Sequence, residues 1–451
     1  MKKSILTAVL FLTAFVPALA KDAFSKVNDG KKDATSVIQS ALDECNARGG
    51  GEVIIPPGEY LCKTIRLRSH VSLVVSRGAV LKGSLDYWND YQDRSLILAE
   101  GISDFGIRGE GVIDGQADKL DFASNGFKNN DKIRPYILHF IRCRDFTVSD
   151  IHLVNSARWT FRMRQCERAI IDRVDIRSLE YINNDGIDID GKDITVSNCI
   201  INSDDDAICL KSDVEGYVVE NISITNCVLS SNSNPIKMGT SSYGGFRNIA
   251  ISNCVIRPNP VSPRRNIWEV YRNIEPGTIA GLSGVAIECV DGGIVENITV
   301  SNIAMTGITS PIFVCLGSRH GTGSLKDVLI SNITAVTEGV LPCVICGVPD
   351  KKIENVRLSN INVVRKSADI RMEGNPRENQ KAYPEARMYG HRNPACGIYA
   401  RHVDGLSVDN FNVRVLGSGE ERHVIVLDDV TGETLSCVSF CGTSGPCLER
   451  R

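Results

Sequence analysis

The sequence has no charge excess of either sign. Fifty-one lysines and arginines stand against 54 acidic residues among 451, a net charge of -3. No global field is available to draw in nucleic acid or an anionic membrane, so neither is an expected partner. Long apolar runs are also missing beyond the first twenty residues; no later stretch approaches 18 consecutive apolar residues, so no membrane span is expected. Helical periodicity is almost absent after residue 50. What remains is a composition of 42% hydrophobic and 23% charged residues, which excludes a disordered chain, a collagen and a coiled coil.

The first twenty residues supply what the rest lacks. Lys2 and Lys3 precede an apolar run from Ile5 to Val16, and Ala18, Leu19 and Ala20 give a small-residue ending. This reads as a secretory signal peptide over 1–20, cut after Ala20, which implies a periplasmic or secreted protein. The residue after the cut is Lys21 rather than Cys, which argues against a lipid-anchored start.

Sixteen cysteines in an exported chain point first to disulfides. Three of them occupy near-identical settings, Ser197 Asn198 Cys199, Thr225 Asn226 Cys227 and Ser252 Asn253 Cys254. Later copies of the setting place Ile303, Ile333 and Ile361 where the cysteine stood. A position that exchanges Cys for Ile is an apolar core slot, so free buried thiols are expected there. Cys437, Cys441 and Cys447 are the better disulfide candidates. Cys343 and Cys346 have zinc-knuckle spacing, but no second such pair exists, so no metal site is expected.

Those settings belong to a repeat. From Asn198 the successive Asn spacings, through Asn226, Asn253, Asn302, Asn332, Asn360 and Asn410, are 28, 27, 49, 30, 28 and 50. One unit is therefore about 28 residues, and two intervals carry an extra stretch of about one unit. Within units the apolar period is two, as in Ile222, Ile224 and Val328, Ile330, which is strand alternation. Short strands and a turn Asn that tolerates left-handed backbone angles, stacked in one register, describe an all-β parallel solenoid with about three strands per coil. The glycosylation-type triplets at Asn221, Asn297 and Asn332 follow from the repeat and read as strand composition. One amphipathic helix, Asp33 to Arg48, ends at Gly49, Gly50 and Gly51 and is placed to cap the first coil. Residues 21–451 read as one domain.

Carboxylates concentrate in one stretch. Asn183 Asn184 Asp185 Gly186 Ile187 Asp188 Ile189 Asp190 is followed by Asn202 Ser203 Asp204 Asp205 Asp206 Ala207 Ile208 Cys209 Leu210 Lys211 Ser212. Placed at strand starts on neighbouring coils, about 4.8 Å apart, such groups raise at least one pKa. A cluster with one protonated and other ionised carboxyls can supply the acid and the base of glycoside hydrolysis. The same oxygens could build a calcium site or a solvated turn, and spacing alone leaves these readings side by side.

The chain resembles the polygalacturonase family of glycoside hydrolases (family 28), within the pectin-lyase-like superfamily of single-stranded right-handed parallel β-helices. Asn183 Asn184 Asp185 matches its Asn-Thr-Asp motif, and Asp205 Asp206 through Lys211 Ser212 matches its Asp-Asp motif and following strand. Gly49 through Gly58 is similar to its opening segment. The resemblance implies an inverting hydrolase without a metal or organic cofactor. Asp205 would be the general acid; Asp185 and Asp206 would activate water. Asp204 would stand behind them. Two motifs depart: Asn234 stands at the His of Gly-His-Gly, and Ala286 Ile287 Glu288 replaces Arg-Ile-Lys. Lys237 is then the nearest candidate cation.

The two long intervals offer replacement parts. One carries Arg264, Arg265, Trp268, Tyr271 and Arg272; the other carries Arg371, Arg377, Tyr383, Arg387, Tyr389, His391 and Arg392. Solenoid insertions leave the coil on one side and can wall a groove, which would favour exo-action. The substrate-contact candidates are Asn183, Lys211, Asn234, Lys237, Glu288, Tyr389, His391 and Arg392. The expected partner is a pectic polysaccharide or oligosaccharide, and the expected state a monomer. A lyase or epimerase on the same fold, and a non-catalytic carbohydrate-binding solenoid, are the alternatives.

Overall fold

The computed structural model describes residues 23–87, 89–119, 133–181, 183–259, 281–367, 376–389 and 393–451. The leader 1–20, the basic and aromatic residues of 260–280, Arg371, His391 and Arg392 lie outside them. Within the described residues the chain winds into a right-handed parallel β-helix. All strand pairings are parallel, and one hydrogen-bonded sheet runs through thirty short strands. No helix of the described residues is long and apolar enough to cross a membrane.

Alternation explains the winding. Along Ser324–Thr337 and Ile353–Lys366 the residues point alternately inward and outward. The inward set forms one core from Phe24 to Leu427. Inward residues stack on the same residue class one coil away: Cys254 on Ile303, Ile303 on Ile333, Ile333 on Ile361, and Ile361 on Phe411. Cys199, Cys227 and Cys254 are buried and unpaired in this column, as their exchange with Ile requires.

The C-terminal cysteines correct the sequence reading. Cys437, Cys441 and Cys447 form no disulfide. Cys437 and Cys441 lie on one strand, Thr434–Cys441. Four residues of extended chain span about 13 Å, beyond the reach of an S–S bridge. Cys343 and Cys346 sit on opposite faces of a four-residue strand, one in the main core and one in a second cluster, so they share no ligand position.

The repeat Asn residues turn the corners. Asn198, Asn226, Asn253, Asn302, Asn332, Asn360 and Asn410 all have φ between 51 and 57°, the left-handed region that Asn tolerates. Their amides form a ladder along the solenoid. Asn302 donates to Asn253 (3.0 Å), Asn332 to Asn302 (2.9 Å), Asn360 to Asn332 (2.9 Å) and Asn410 to Asn360 (2.8 Å). A second ladder joins Asn221, Asn248 and Asn297. The triplet residues Asn221, Asn297 and Asn332 are thus rungs. The helix Thr35–Ala47 closes the N-terminal end, burying Ile38, Leu42 and Cys45.

Candidate active site

One face of the solenoid carries the carboxylates. Its strands include Phe161–Arg164, Ile187–Ile189, Ile208–Ser212, Ile236–Ser242 and Gly281–Asp291. Phe161, Ile187, Ile208, Ile236 and Val285 point into the core in one column. The residue after each is therefore outward, giving the column Arg162, Asp188, Cys209, Lys237, Ala286.

Asp185, Asp206 and Asn234 occupy the starts of consecutive strands. The Gly186 N–H donates to the Asp206 carbonyl (2.9 Å) and the Ala207 N–H to the Asn234 carbonyl (3.2 Å), so the three stand one above another. Gly186 is required by space. A Cβ there would lie 2.5 Å from the Ala207 carbonyl oxygen and from Ile201.

Each carboxylate has its own environment. Asp185 is buried, with Oδ2 3.3 Å from the Lys211 ammonium. Burial and the neighbouring Asp188 push its pKa well above the carboxylate range, against the pull of Lys211. Asp206 is equally buried. Its Oδ1 accepts the Asn234 N–H (3.0 Å) and Nδ2–H (2.9 Å), and its Oδ2 pairs with Lys237 (3.1 Å). Burial alone would raise its pKa, but Lys237, Lys211 and Asn234 outweigh that and hold it below its ordinary value. Asp205 is only half-buried; its carboxylate accepts the N–H groups of Asn183 (3.1 Å) and Asp206 (3.1 Å). Asp204 is fully buried and accepts from Asn232 (2.9 Å).

The expected substrate contacts divide. Lys211, Asn234, Lys237 and Glu288 are all buried and serve the carboxylates from beneath. Lys211 bridges Asp185 and Asp188 (3.0 Å) and lies over the Trp159 ring. Lys237 bridges Asp206 and Glu288 (4.0 Å) and donates to the Tyr383 hydroxyl (3.4 Å). Glu288 does not place a negative charge beside the reacting groups at neutral pH. Burial raises its pKa to about 8, although Lys237 pulls the other way. Asn183 stays half-buried at the surface, with φ 57° and its Oδ1 held by Arg134 (3.0 Å). Tyr389 departs from expectation: it is 7% exposed and packs in the second apolar cluster, edge-on to Tyr399.

Sequence reasoning missed two neighbours, Trp159 and Arg162, and gave Asp188 no role of its own. Trp159 is ringed by Lys211 (4.7 Å), Arg162 (4.9 Å) and Arg158 (5.1 Å). Arg162 is buried and paired with Asp213. Asp188 is fully buried against Lys211. Stepping back one repeat from Asp185 would have found Trp159. Asp185, Asp188 and Cys209 have ligand atoms within 4.8 Å of one another, the one metal-like grouping among the described residues. Lys211 Nζ lies 3.3, 3.0 and 3.2 Å from those same three groups, so an ammonium already fills the cation position.

The column changes character past Lys237. Ala286, Phe313, Val344, Tyr399 and Val426 continue it, all apolar in their outward surface. Residues 376–389 lie over them, with Ala386 and Tyr389 packed in the cluster. The Ser318 N–H donates to Gln380 O (2.7 Å), Arg401 donates to Pro376 O (2.7 Å), and Glu378 contacts Arg401 and His402, anchoring this cover. The ionic part of the column therefore ends at the cover.

Fold and sequence together define a glycoside hydrolase built on a right-handed parallel β-helix. The family model of glycosyl hydrolases family 28 matches residues 45–260, just under half of the chain. Exopolygalacturonase X-1 of Emericella nidulans is 24% identical over 374 residues, 75% of this chain and 82% of that protein. Rhamnogalacturonase A of the same organism is 27% identical over 203 residues, covering 44% of this chain and 38% of its own length. A probable polygalacturonase of Vitis vinifera is 27% identical, covering 51% of this chain and 53% of that protein. Among solved structures, the Thermotoga maritima exopolygalacturonase superposes with a TM-score of 0.63 at 21% identity, over 75% of this chain and 85% of that one. The Yersinia enterocolitica family 28 exopolygalacturonase gives 0.62 at 15% identity, over 93% and 77%.

Proposed function

We propose that the protein hydrolyses a pectin-related glycoside with inversion, releasing sugar from a chain end. The observation that carries this reading is the unequal treatment of three neighbouring carboxylates. Asp185 and Asp206 are buried, each against its own lysine, while Asp205 alone is partly open. Asp205 is then the group that can meet the glycosidic oxygen and protonate it. Asp206, held ionised, takes the proton from water attacking the opposite face, and Asp185, with its higher proton affinity, orients that water. Lys211 and Lys237 position these carboxylates. Exo-action follows from the cover at 376–389, which closes one end of the groove, and accords with the exopolygalacturonases among the relatives.

Incubation with a panel of pectic polysaccharides and oligosaccharides, with chromatography of the products, identifies the sugar. Proton NMR during turnover should show the product first in the inverted anomeric form. Retention of configuration, or an unsaturated product absorbing in the ultraviolet, would overturn the mechanism, the latter in favour of a lyase. Tight binding without turnover would leave a carbohydrate-binding solenoid.

A further inference from the structure

A polar corner beside the covered column has no part in the mechanism above. The strand Ile294–Gly321 ends with Arg319 and His320, and Tyr243 follows the end of the strand that carries Lys237. Arg319 and His320 converge on Asp291, which is 4% exposed, and the Tyr243 hydroxyl lies 3.2 Å from His320 Nδ1. Arg319 donates to it through Nε (2.9 Å) and Nη2 (2.6 Å), His320 Nδ1 lies 2.8 Å away, and the Ser242 N–H donates from below (3.2 Å). The His320 ring stacks on Tyr243 at 5.9 Å between centroids and 11° between planes. The His320 side chain is 54% exposed and Tyr243 36%.

The anchoring is one-sided. Asp291 takes one edge of the guanidinium, which leaves Arg319 Nη1 without a partner among the described residues, and His320 Nε2 likewise. Tyr383, reaching in from the cover to the Lys237 ammonium, is also close enough to Arg319 to favour its charge. Burial disfavours that charge, and Asp291, Tyr383 and Tyr243 outweigh it. Ser318, immediately before Arg319, holds the cover through Gln380. Aromatic faces, the Arg319 guanidinium edge and the outer nitrogen of His320 thus stand together beside the cover.

We propose that Arg319 and His320, with Tyr243 and Tyr383, form an accessory subsite for the carboxylate of an acidic sugar. A pyranose ring lies on the aromatic faces while its carboxylate takes Arg319 Nη1 and, when both ring nitrogens carry protons, His320 Nε2. The subsite supplies anion recognition that Ala286 and Glu288 do not. It rests on the pectic substrate proposed above and adds a location and a charge preference.

The test uses the full chain carrying Asp205→Asn, so that ligands persist, and calorimetry with trigalacturonate and with its methyl ester. His320→Ala with Tyr243→Ala, both on exposed side chains, should weaken trigalacturonate about tenfold, about 1.4 kcal/mol, and leave the ester nearly unchanged. Arg319→Gln should do the same, with circular dichroism reporting whether Asp291 tolerates it. Equal losses for acid and ester, or no loss for either, overturn the subsite. Turnover by the wild type with unchanged affinities in the variants removes the subsite alone. Selective loss of trigalacturonate binding without any wild-type turnover removes the hydrolase mechanism alone; no binding of either ligand removes both.

Discussion

The same outward column performs two tasks. Over the coils from Arg162 to Lys237 it is ionic, and each buried charge meets a partner: Arg162 with Asp213, Asp188 with Lys211, Lys237 with Asp206. From Ala286 to Val426 it is apolar and covered by 376–389. The backbone pairs one to one at every member of the column, so the strands themselves select neither role. The side chains do, and the carboxylate cluster sits on the ionic side of the change. Burial without a partner is costly for a charge and favourable for Phe or Val, which is why the apolar coils can be roofed over and the ionic coils need bridging lysines.

Removing the proposed proton donor, Asp205, from the ionic half should have the largest effect. Asp205→Asn should cut turnover of a natural oligosaccharide by a factor of about 100 to 10,000 with the melting temperature unchanged, since the group is half-buried and nearly isosteric. Lys237→Met comes next. It leaves Asp206 buried without its cation, and denaturant unfolding should show a loss of about 3–5 kcal/mol together with lost activity. On the apolar half, Tyr389→Ala should cost about 3 kcal/mol locally and loosen the cover, so chromatography of polymeric substrate should show internal cleavage products that the parent does not release.

The smallest expected change is at the junction. Glu288 has its pKa raised to about 8 in the folded protein, above the ordinary value near 4.3. The folded state therefore holds this proton more tightly than the unfolded one. The stabilisation it brings is complete below about pH 4 and is lost as pH rises through about 8. Glu288→Gln keeps the neutral shape. Its melting temperature should fall less than the parent's between pH 5 and 9, and its activity at pH 7 should be near that of the parent. A steeper fall in the variant would mean that Glu288 is ionised in the native protein.

The winding was legible because its causes are local. Period-two alternation, the 28-residue spacing and the left-handed Asn are each visible within one coil, and the stacked core follows from repeating them. Asp185 and the Asp205 Asp206 pair were legible for the same reason, as carboxylates ahead of strands one coil apart. The partners of those carboxylates were harder to read. Lys237 meets Tyr383 across 146 residues, and Tyr389 roofs a column whose members come from five separate strands. No spacing rule reports such contacts. Lys211 was legible as an outward residue, yet nothing local said that its ammonium would be enclosed by Asp185, Asp188 and Cys209.

The asparagine ladder has a consequence for how such proteins diversify. Asn297 bonds to Asn248 and Asn410 to Asn360 as closely as do rungs a single coil apart, although they stand 49 and 50 positions apart in sequence. The rail thus absorbs a long excursion of the chain and resumes without a slipped rung. Wall segments can then be lengthened, shortened or exchanged between homologues while the reacting carboxylates keep their alignment. A chimera that replaces 367–394 with the corresponding stretch of a relative should inherit the donor's cleavage pattern on the host's catalytic frame.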